Sequence, residues 1–401
     1  MNLTDHKKVA LLGYGISNKG LLSFLQKNTD WTIDLYDEKK IIESVAGVQN
    51  IYLGLELQDT YDIVYKTPGI PVHKVSVPEG TILSNDTDLF LHLTKSNVIG
   101  ITGTKGKSTT ASLIYHILKE SGKDVILAGN IGASIFDIDG WEQAKYVVYE
   151  MSSFQCDQLT MAPHIAVLTN IYHAHTIEHD GHENYVAAKK KITKFQTEDD
   201  FFVTTLCDIR TKAQVICVDT DIQRSVQTKM IGEHNQINIE LALQVSELVD
   251  IEREDAISHV ATYEPLPGRI EKIAEKGGIE FYDDALGTVP EASIFTIRAL
   301  PVNTLITGGS ELGFDYTDMN KEIQKSGITK VIYFKDTGEK IVKGLQNIEI
   351  VEAHSMQQAV EEAFKNGPGI CMLSSASPSF SMFENYKDRS KQYVDAIEAH
   401  T

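Results

Sequence analysis

The run Gly100-Ile101-Thr102-Gly103-Thr104-Lys105-Gly106-Lys107-Ser108-Thr109 has the residue types and spacing of a phosphate cradle. Backbone N–H groups of such a loop turn inward onto phosphate oxygens. The lysine reaches the terminal phosphates, and the hydroxyl binds magnesium. Gly103, Thr104, Lys105, Gly106, Lys107, Ser108 and Thr109 are therefore the candidate nucleotide residues. The loop is not a strict Walker A sequence, because five residues rather than four separate Gly100 from Gly106. A plain glycine-rich turn is the structural alternative.

Further along the chain, Glu150 opens Glu150-Met151-Ser152-Ser153-Phe154-Gln155. A carboxylate at the carboxyl end of a strand beside a phosphate loop is placed to hold magnesium; otherwise it is an acid in a surface loop. His173, His175, His179 and His182 put four histidines in ten residues. Their spacings are not those of a standard zinc site and no cysteine is near. One histidine helping to bind a catalytic cation or an anionic substrate is the better reading. Lys189-Lys190-Lys191 lies on a helix and on composition alone reads as a solvated basic face. In Gly232-Glu233-His234-Asn235-Gln236-Ile237-Asn238, His and Asn side chains suit a nucleotide base, and Asn is equally an ordinary helix cap. Gly13-Tyr14-Gly15-Ile16-Ser17-Asn18 starts like G-x-G-x-x-G, with Asn18 where the third glycine belongs. Asp37 follows at a distance suited to a ribose hydroxyl. A structural turn and a nucleotide site are both open there.

These residues need elements to hold them. Asn97-Val98-Ile99 before the phosphate loop reads as a strand, and Ala111–Lys119 after it as a helix. Val9–Leu12, Thr32–Tyr36, Tyr146–Tyr149, Ile165–Asn170, Thr304–Thr307 and Lys330–Phe334 are further strand-like runs separated by helical patterns. The predicted fold class is α/β with three domains. Residues 1–93 form a Rossmann-like domain, 94–265 a central P-loop ATPase domain and 266–401 a second Rossmann-like domain. At 401 residues, 42% hydrophobic and 23% charged, the chain has the profile of a globular protein. It has no run of about 18 apolar residues and so no predicted membrane span. Its first residues lack the apolar core of a signal peptide. The net charge of −19 argues against general nucleic-acid binding and requires local cations wherever a nucleotide is held. Cys156, Cys207, Cys217 and Cys371 show no C-x-x-C spacing and are expected to be reduced thiols in a cytoplasmic protein.

Taken in order along the chain, these segments resemble the Mur ligases, ATP-dependent amide-forming enzymes of peptidoglycan precursor synthesis. The resemblance runs through GITGTKGKST, Gly129–Gly132, EMSSFQ, Asn170–His175, YVAAKKK, EHNQIN, LPGRIE, Asp284–Ala292, Gly308–Tyr316 and Leu373–Arg389. Among the Mur ligases it is closest to the MurD type, which joins D-glutamate to UDP-N-acetylmuramoyl-L-alanine. It implies that ATP activates the substrate carboxylate as an acyl phosphate, which the incoming amine then attacks. It implies ATP and magnesium as cofactors, those two substrates as partners, and a monomer.

By position, Lys107, Glu150, His175 and Lys189 become the catalytic residues. Ser108, Glu150, His175 and Lys189 become the metal-binding set, with Lys189 as the family's carbamylated lysine. Asn238, Arg269 and Asp284 fall on ATP contacts. Ile16, Ser17, Asp37, Thr67, Gly69, Asn130 and Ser152 fall on contacts to the UDP-sugar. Thr288, Ser379 and Tyr386 fall on amino-acid contacts. The chain departs from the family in three places. An Asp-His pair reads Ala174-His175, a Pro-His-Arg motif reads Pro267-Gly268-Arg269, and two lysines that bind the carboxylates of D-glutamate read Leu286 and Leu312. Each lost lysine removes a charge-assisted hydrogen bond worth about 1.5–3 kcal/mol. Lys387 or Arg389 could compensate. The alternatives are a Mur-type ligase for a different amino acid, or a non-catalytic nucleotide-binding relative.

Overall fold

The computed structural model describes residues 3–38, 44–131, 133–172, 178–221, 226–380 and 382–400. The chain forms two compact units. The first comprises residues 1–226 and 237–261, the second residues 227–236 and 262–401.

The first unit holds two sheets. Strands β1 (Lys8–Leu12), β2 (Thr32–Asp37), β3 (Asn50–Leu53), β4 (Ile63–Lys66) and β5 (Ile82–Ser84) pair in the order β3-β2-β1-β4-β5, all parallel. Helix α1 (Ile16–Asn28) follows β1, and α2 (Asp86–Leu93) follows β5. The second sheet is built from β6 (Asn97–Thr102), β7 (Val125–Gly129), β8 (Tyr146–Glu150), β9 (Ile165–Leu168), β10 (Phe201–Thr204) and β11 (Gln214–Cys217). Its order is β11-β10-β9-β6-β8-β7, again parallel throughout. Its helices are α3 (Lys107–Glu120), α4 (Ser153–Cys156) and α5 (His182–Lys194), followed by α6 (His234–Leu248) and α7 (Arg253–Thr262). The strands read as near-continuous apolar runs because helices cover both faces of parallel sheets. Val9, Leu11, Leu25, Phe90, Tyr149, Ala166 and Phe202 belong to one buried cluster that takes in both sheets. The boundary expected after residue 93 thus falls between two sheets of one compact unit.

In an open parallel sheet, ligands bind beyond the carboxyl ends of the strands, where the strand order reverses. In the first sheet that point is the β1/β4 junction. In the second, β6 lies between β9 and β8, so the loop after β6 is flanked by those after β8 and β9.

The second unit carries β12 (Glu271–Lys276), β13 (Ile279–Asp283), β14 (Val302–Thr307), β15 (Lys330–Phe334), β16 (Glu349–Ala353) and β17 (Gly369–Leu373). Their order is β12-β13-β17-β14-β15-β16, with β12 antiparallel to β13 and the rest parallel. Helices α8 (Pro290–Ala299), α9 (Thr317–Lys325), α10 (Thr337–Val342), α11 (Met356–Lys365) and α12 (Tyr386–Ala399) complete it. Successive strand residues point to opposite faces. Phe281, Ile306, Ile332 and Leu373 join a core with Val360 and Tyr393, while Tyr282, Leu305, Val331 and Met372 join another with Ile297 and Met319. No described helix is long and apolar enough to cross a membrane.

The four-thiol expectation needs one correction. Cys207 and Cys217 are paired as a disulfide, with Cα atoms 5.4 Å apart, leaving Cys156 and Cys371 as buried free thiols. The pairing joins the turn after β10 to the end of β11, a proximity that the sequence spacing does not reveal.

Candidate active site

The loop Gly103–Gly106 runs from β6 to α3 and is stitched to the end of β9. Thr104 N–H donates to the Asn170 carbonyl at 2.9 Å, and Lys105 N–H to Asn170 Oδ1 at 2.9 Å. The Lys105 carbonyl accepts from Thr169 Oγ1 at 2.6 Å and Asn170 Nδ2 at 3.0 Å. Two glycines are needed for this shape. Gly106 caps α3 with φ +83°, and a Cβ there would lie 2.4 Å from Asn238 Oδ1. Gly103 has φ +151°, and a Cβ would lie 1.9 Å from Thr169 Oγ1. A left-handed conformation costs other residues about 1–2 kcal/mol even without a clash. Lys107 Nζ donates to the Thr104 carbonyl at 3.0 Å, which holds its ammonium over the loop. Asn238 lies inside α6 rather than capping it, and its Oδ1 accepts from Thr110 Oγ1 at 3.3 Å.

Glu150 ends β8, the neighbour of β6, and is fully buried. Its Oε1 accepts from Asn130 Nδ2 at 3.0 Å. Its Oε2 is buried with no hydrogen-bond partner among the described residues. An unused buried carboxylate oxygen is costly unless something positive meets it, and hard oxygen donors are what magnesium takes. Among the described residues no group of three or more His, Cys, Asp or Glu side chains could hold a metal ion. His173 and His175 lie outside the described residues.

Lys189, on α5, is only 2% exposed and donates to the Gly103 carbonyl at 2.7 Å. Burial lowers its amine to about 7, with the Lys107 charge acting in the same direction. Lys190 is exposed, and Lys191 pairs with Asp157 at 3.0 Å. The lysine run is therefore a solvated face in part, with one member turned into the site. Tyr185, one helical turn before Lys189, meets Thr104 Oγ1 with its hydroxyl at 2.8 Å. His179 stacks on Phe154 at 4.5 Å and lies 2.9 Å from Ser153 Oγ, an internal packing role.

At the β1/β4 junction the Gly13 N–H donates to the Tyr36 carbonyl and the Thr67 N–H to the Leu12 carbonyl. Asp37 Oδ2 accepts from the Tyr14 N–H at 2.9 Å, tying the glycine turn to the end of β2. Asn18 is buried, and its Nδ2 meets the carbonyls of Leu12, Gly13 and Tyr65. The residue that spoils the glycine motif is thus the tie between β1 and β4. Ile16 and Gly69 are exposed, and Ser17 and Thr67 half-buried. Ser17 hydrogen-bonds Asp86, whose carboxyl burial pushes up. Lys66 is almost fully buried. Its Nζ donates to the carbonyls of Ile70 (2.6 Å) and Thr67 (3.2 Å), and burial lowers it to about 8. Ser152 caps α4, accepting from the Gln155 N–H at 3.2 Å, and Gln155 Nε2 in turn donates to Thr87 Oγ1 at 3.0 Å.

In the second unit, the carboxyl ends of β13, β17 and β14 carry the remaining residues. Asp284 is buried, and its Oδ2 accepts from Thr296 Oγ1 (2.6 Å) and Ser374 Oγ (2.9 Å). Arg269 is half-buried with an unpartnered Nε among the described residues. Its charge, after burial, lowers His234 to about 4. Leu286 and Thr288 are half-buried, Ser379 is buried, and Leu312 and Tyr386 are exposed. Arg389 is fully buried and donates to the carbonyls of Ala285 (2.7 Å) and Ser377 (3.2 Å). That role leaves only exposed Lys387 of the two compensating cations considered from sequence.

A family model described as the Mur ligase middle domain matches residues 101–215, the segment that carries the phosphate loop, Glu150 and Lys189. The chain is 29% identical to the UDP-N-acetylmuramoylalanine–D-glutamate ligase of Acetivibrio thermocellus, over 98% of this chain and 97% of the relative. It is 29% identical to the enzyme of the same name from Christiangramia forsetii, over 98% and 99%. Along nearly its whole length this chain is similar to the Mur ligases. Solved Mur ligases share its fold. The MurF ligase of Thermotoga maritima in complex with ADP superimposes with a TM-score of 0.63 at 17% identity, covering 99% of this chain and 95% of that one. The MurC UDP-N-acetylmuramate-alanine ligase of the same organism gives 0.62 at 17%, covering 98% and 100%.

Beyond the motifs legible in the sequence, the structure adds further residues at these two sites. Thr169 and Asn170 brace the phosphate loop, and the polar end of an apolar strand was the available signal. Asn18 and Lys66 organise the β1/β4 junction, and only its burial reveals Lys66.

Proposed function

We propose that this Mur ligase joins D-glutamate to UDP-N-acetylmuramoyl-L-alanine, with ATP hydrolysed to ADP and phosphate, in peptidoglycan precursor synthesis. The supporting observation is the convergence on one phosphate loop of two unusual groups. Glu150 offers a buried, unused carboxylate oxygen, and Lys189 offers a buried amine lowered to about 7. Residues 1–93 would bind the UDP-sugar, 94–265 ATP, and 266–401 the amino acid. The enzyme would act in the cytoplasm as a monomer.

The substrate carboxylate attacks the γ-phosphorus, ADP leaves, and an acyl phosphate forms. The amine of the amino acid then attacks the acyl carbon and phosphate departs. Such transfer needs charge neutralisation and alignment more than covalent help from the protein. Lys107 and the Gly103–Thr109 N–H groups would hold the β- and γ-phosphates, and Asn238, Arg269 and Asp284 would complete the ATP contacts. Magnesium would neutralise phosphate charge when bound, held by Ser108, Glu150, His175 and Lys189. Lys189 is suited to carbamylation because its amine is half neutral near pH 7. The neutral amine adds to carbon dioxide and loses a proton, turning a cation into an anion. Ile16, Ser17, Asp37, Thr67, Gly69, Asn130 and Ser152 would bind the UDP-sugar, and Thr288, Ser379 and Tyr386 the amino acid.

A second reading, a ligase for another amino acid, has its own support. The loop bearing Leu312 carries a carboxylate, Glu311, which pairs with Lys340 at 2.5 Å, and Arg389 is occupied by carbonyls. Phosphate release with ATP, UDP-N-acetylmuramoyl-L-alanine and a panel of D- and L-amino acids separates the two. Turnover with D-glutamate alone supports the first reading, and turnover with another amino acid alone replaces it.

A further inference from the structure

We propose that Cys207 and Cys217 are a reversible dithiol–disulfide pair whose closed form braces the phosphate loop. Both residues are exposed, with Cα atoms 5.4 Å apart, inside the range a disulfide spans without backbone movement. The chain's other cysteines differ. Cys156 and Cys371 are fully buried, and burial pushes their thiols up to about 11 and about 12. They stay inert to exchange, because the thiolate is the reactive form. An accessible pair beside an inert pair limits the exchange chemistry to one place.

That place is joined to the nucleotide loop by a chain of hydrogen bonds. Cys217 ends β11, a four-residue edge strand, and pairs in register with Thr204 at the end of β10. Cys207 lies three residues beyond Thr204. Between them, Thr204 Oγ1 donates to the Leu168 carbonyl at 2.9 Å and Thr205 Oγ1 to the Thr169 carbonyl at 2.8 Å. The Thr169 hydroxyl then donates to the Lys105 carbonyl at 2.6 Å. Closing the disulfide pins the short edge strand to the turn that carries Thr205. Opening it leaves four ladder residues to hold that corner.

The step balances with a disulfide oxidant of the glutathione class. Two protein thiols give up two electrons and two protons to one molecule of oxidant, which becomes two thiols. A dithiol or thioredoxin-type reductant runs the reverse. Disulfides of proteins in reducing compartments are of this transient kind.

The test uses the full chain equilibrated with oxidised or reduced glutathione. Intact mass and thiol titration after denaturation read the pairing, and calorimetry with ADP reads the coupling. The expected results are loss of two hydrogens with two thiols remaining in the oxidised form, and ADP binding about fivefold tighter than in the reduced form. A C207S/C217S variant should bind ADP like the reduced protein in either buffer. Four titratable thiols, or glutathione adducts, in the oxidised sample would overturn the pairing. Equal ADP affinity in the two forms would overturn the coupling. The ADP arm rests on the phosphate-loop reading and the thiol count does not, so absence of ADP binding in both forms would fail the site rather than the pair.

Discussion

Replacing Lys189 with methionine should stabilise the fold while abolishing ligation. Lys189 sits at 2% exposure with its amine lowered from 10.5 to about 7, chiefly by burial. At about 1.4 kcal/mol per tenfold, that displacement costs roughly 5 kcal/mol of folding free energy. Methionine fills similar volume without a charge, but it leaves the Gly103 carbonyl without its 2.7 Å donor, a loss of about 1–3 kcal/mol. Relaxation around the ammonium shrinks the gross figure further, so the net gain should be about 1–3 kcal/mol near neutral pH. The sign with pH follows from the folded value lying below the unfolded one. The penalty is fully present below pH 7 and disappears as pH rises toward 10.5. Urea unfolding of wild type and K189M at about pH 7 and pH 9.5, in carbon-dioxide-depleted buffer, measures both quantities, and phosphate release measures activity. A variant less stable than wild type at pH 7, or a stability gap indifferent to pH, would show that the buried ammonium does not destabilise the fold. Wild-type turnover would remove Lys189 from the site.

G106A should weaken ADP binding at least about tenfold in calorimetry, since φ +83° and a 2.4 Å approach to Asn238 Oδ1 leave no room for a methyl group. E150Q keeps the Asn130 contact and loses the charge, so phosphate release should need about tenfold or more additional magnesium, with UDP-sugar affinity unchanged. K66M removes the donor to the Ile70 and Thr67 carbonyls, so KM for the UDP-sugar should rise severalfold with kcat little changed.

The parallel architecture was legible because its strands are apolar runs between helical patterns, and the strand–turn–helix at Gly103–Lys107 because its glycines mark the turn between an apolar run and a helical one. Tertiary contact decided what was not legible. Asn18 looks like a broken glycine motif until it is seen holding three carbonyls that no local pattern brings together. Lys189 and Lys190 are neighbours of identical type, and only the turn of α5 buries one and exposes the other. Arg389, close in sequence to the expected amino-acid contacts, is spent on backbone carbonyls. Cys207 and Cys217 meet because β10 and β11 pair in register.

The most direct test of the central claim is phosphate release by the purified chain with ATP, magnesium, UDP-N-acetylmuramoyl-L-alanine and D-glutamate, with the product identified by mass. One phosphate should be released per D-glutamate joined, with no release when either acceptor or amino acid is omitted. No turnover with D-glutamate or any other amino acid, while ATP and the UDP-sugar both bind, would contradict it.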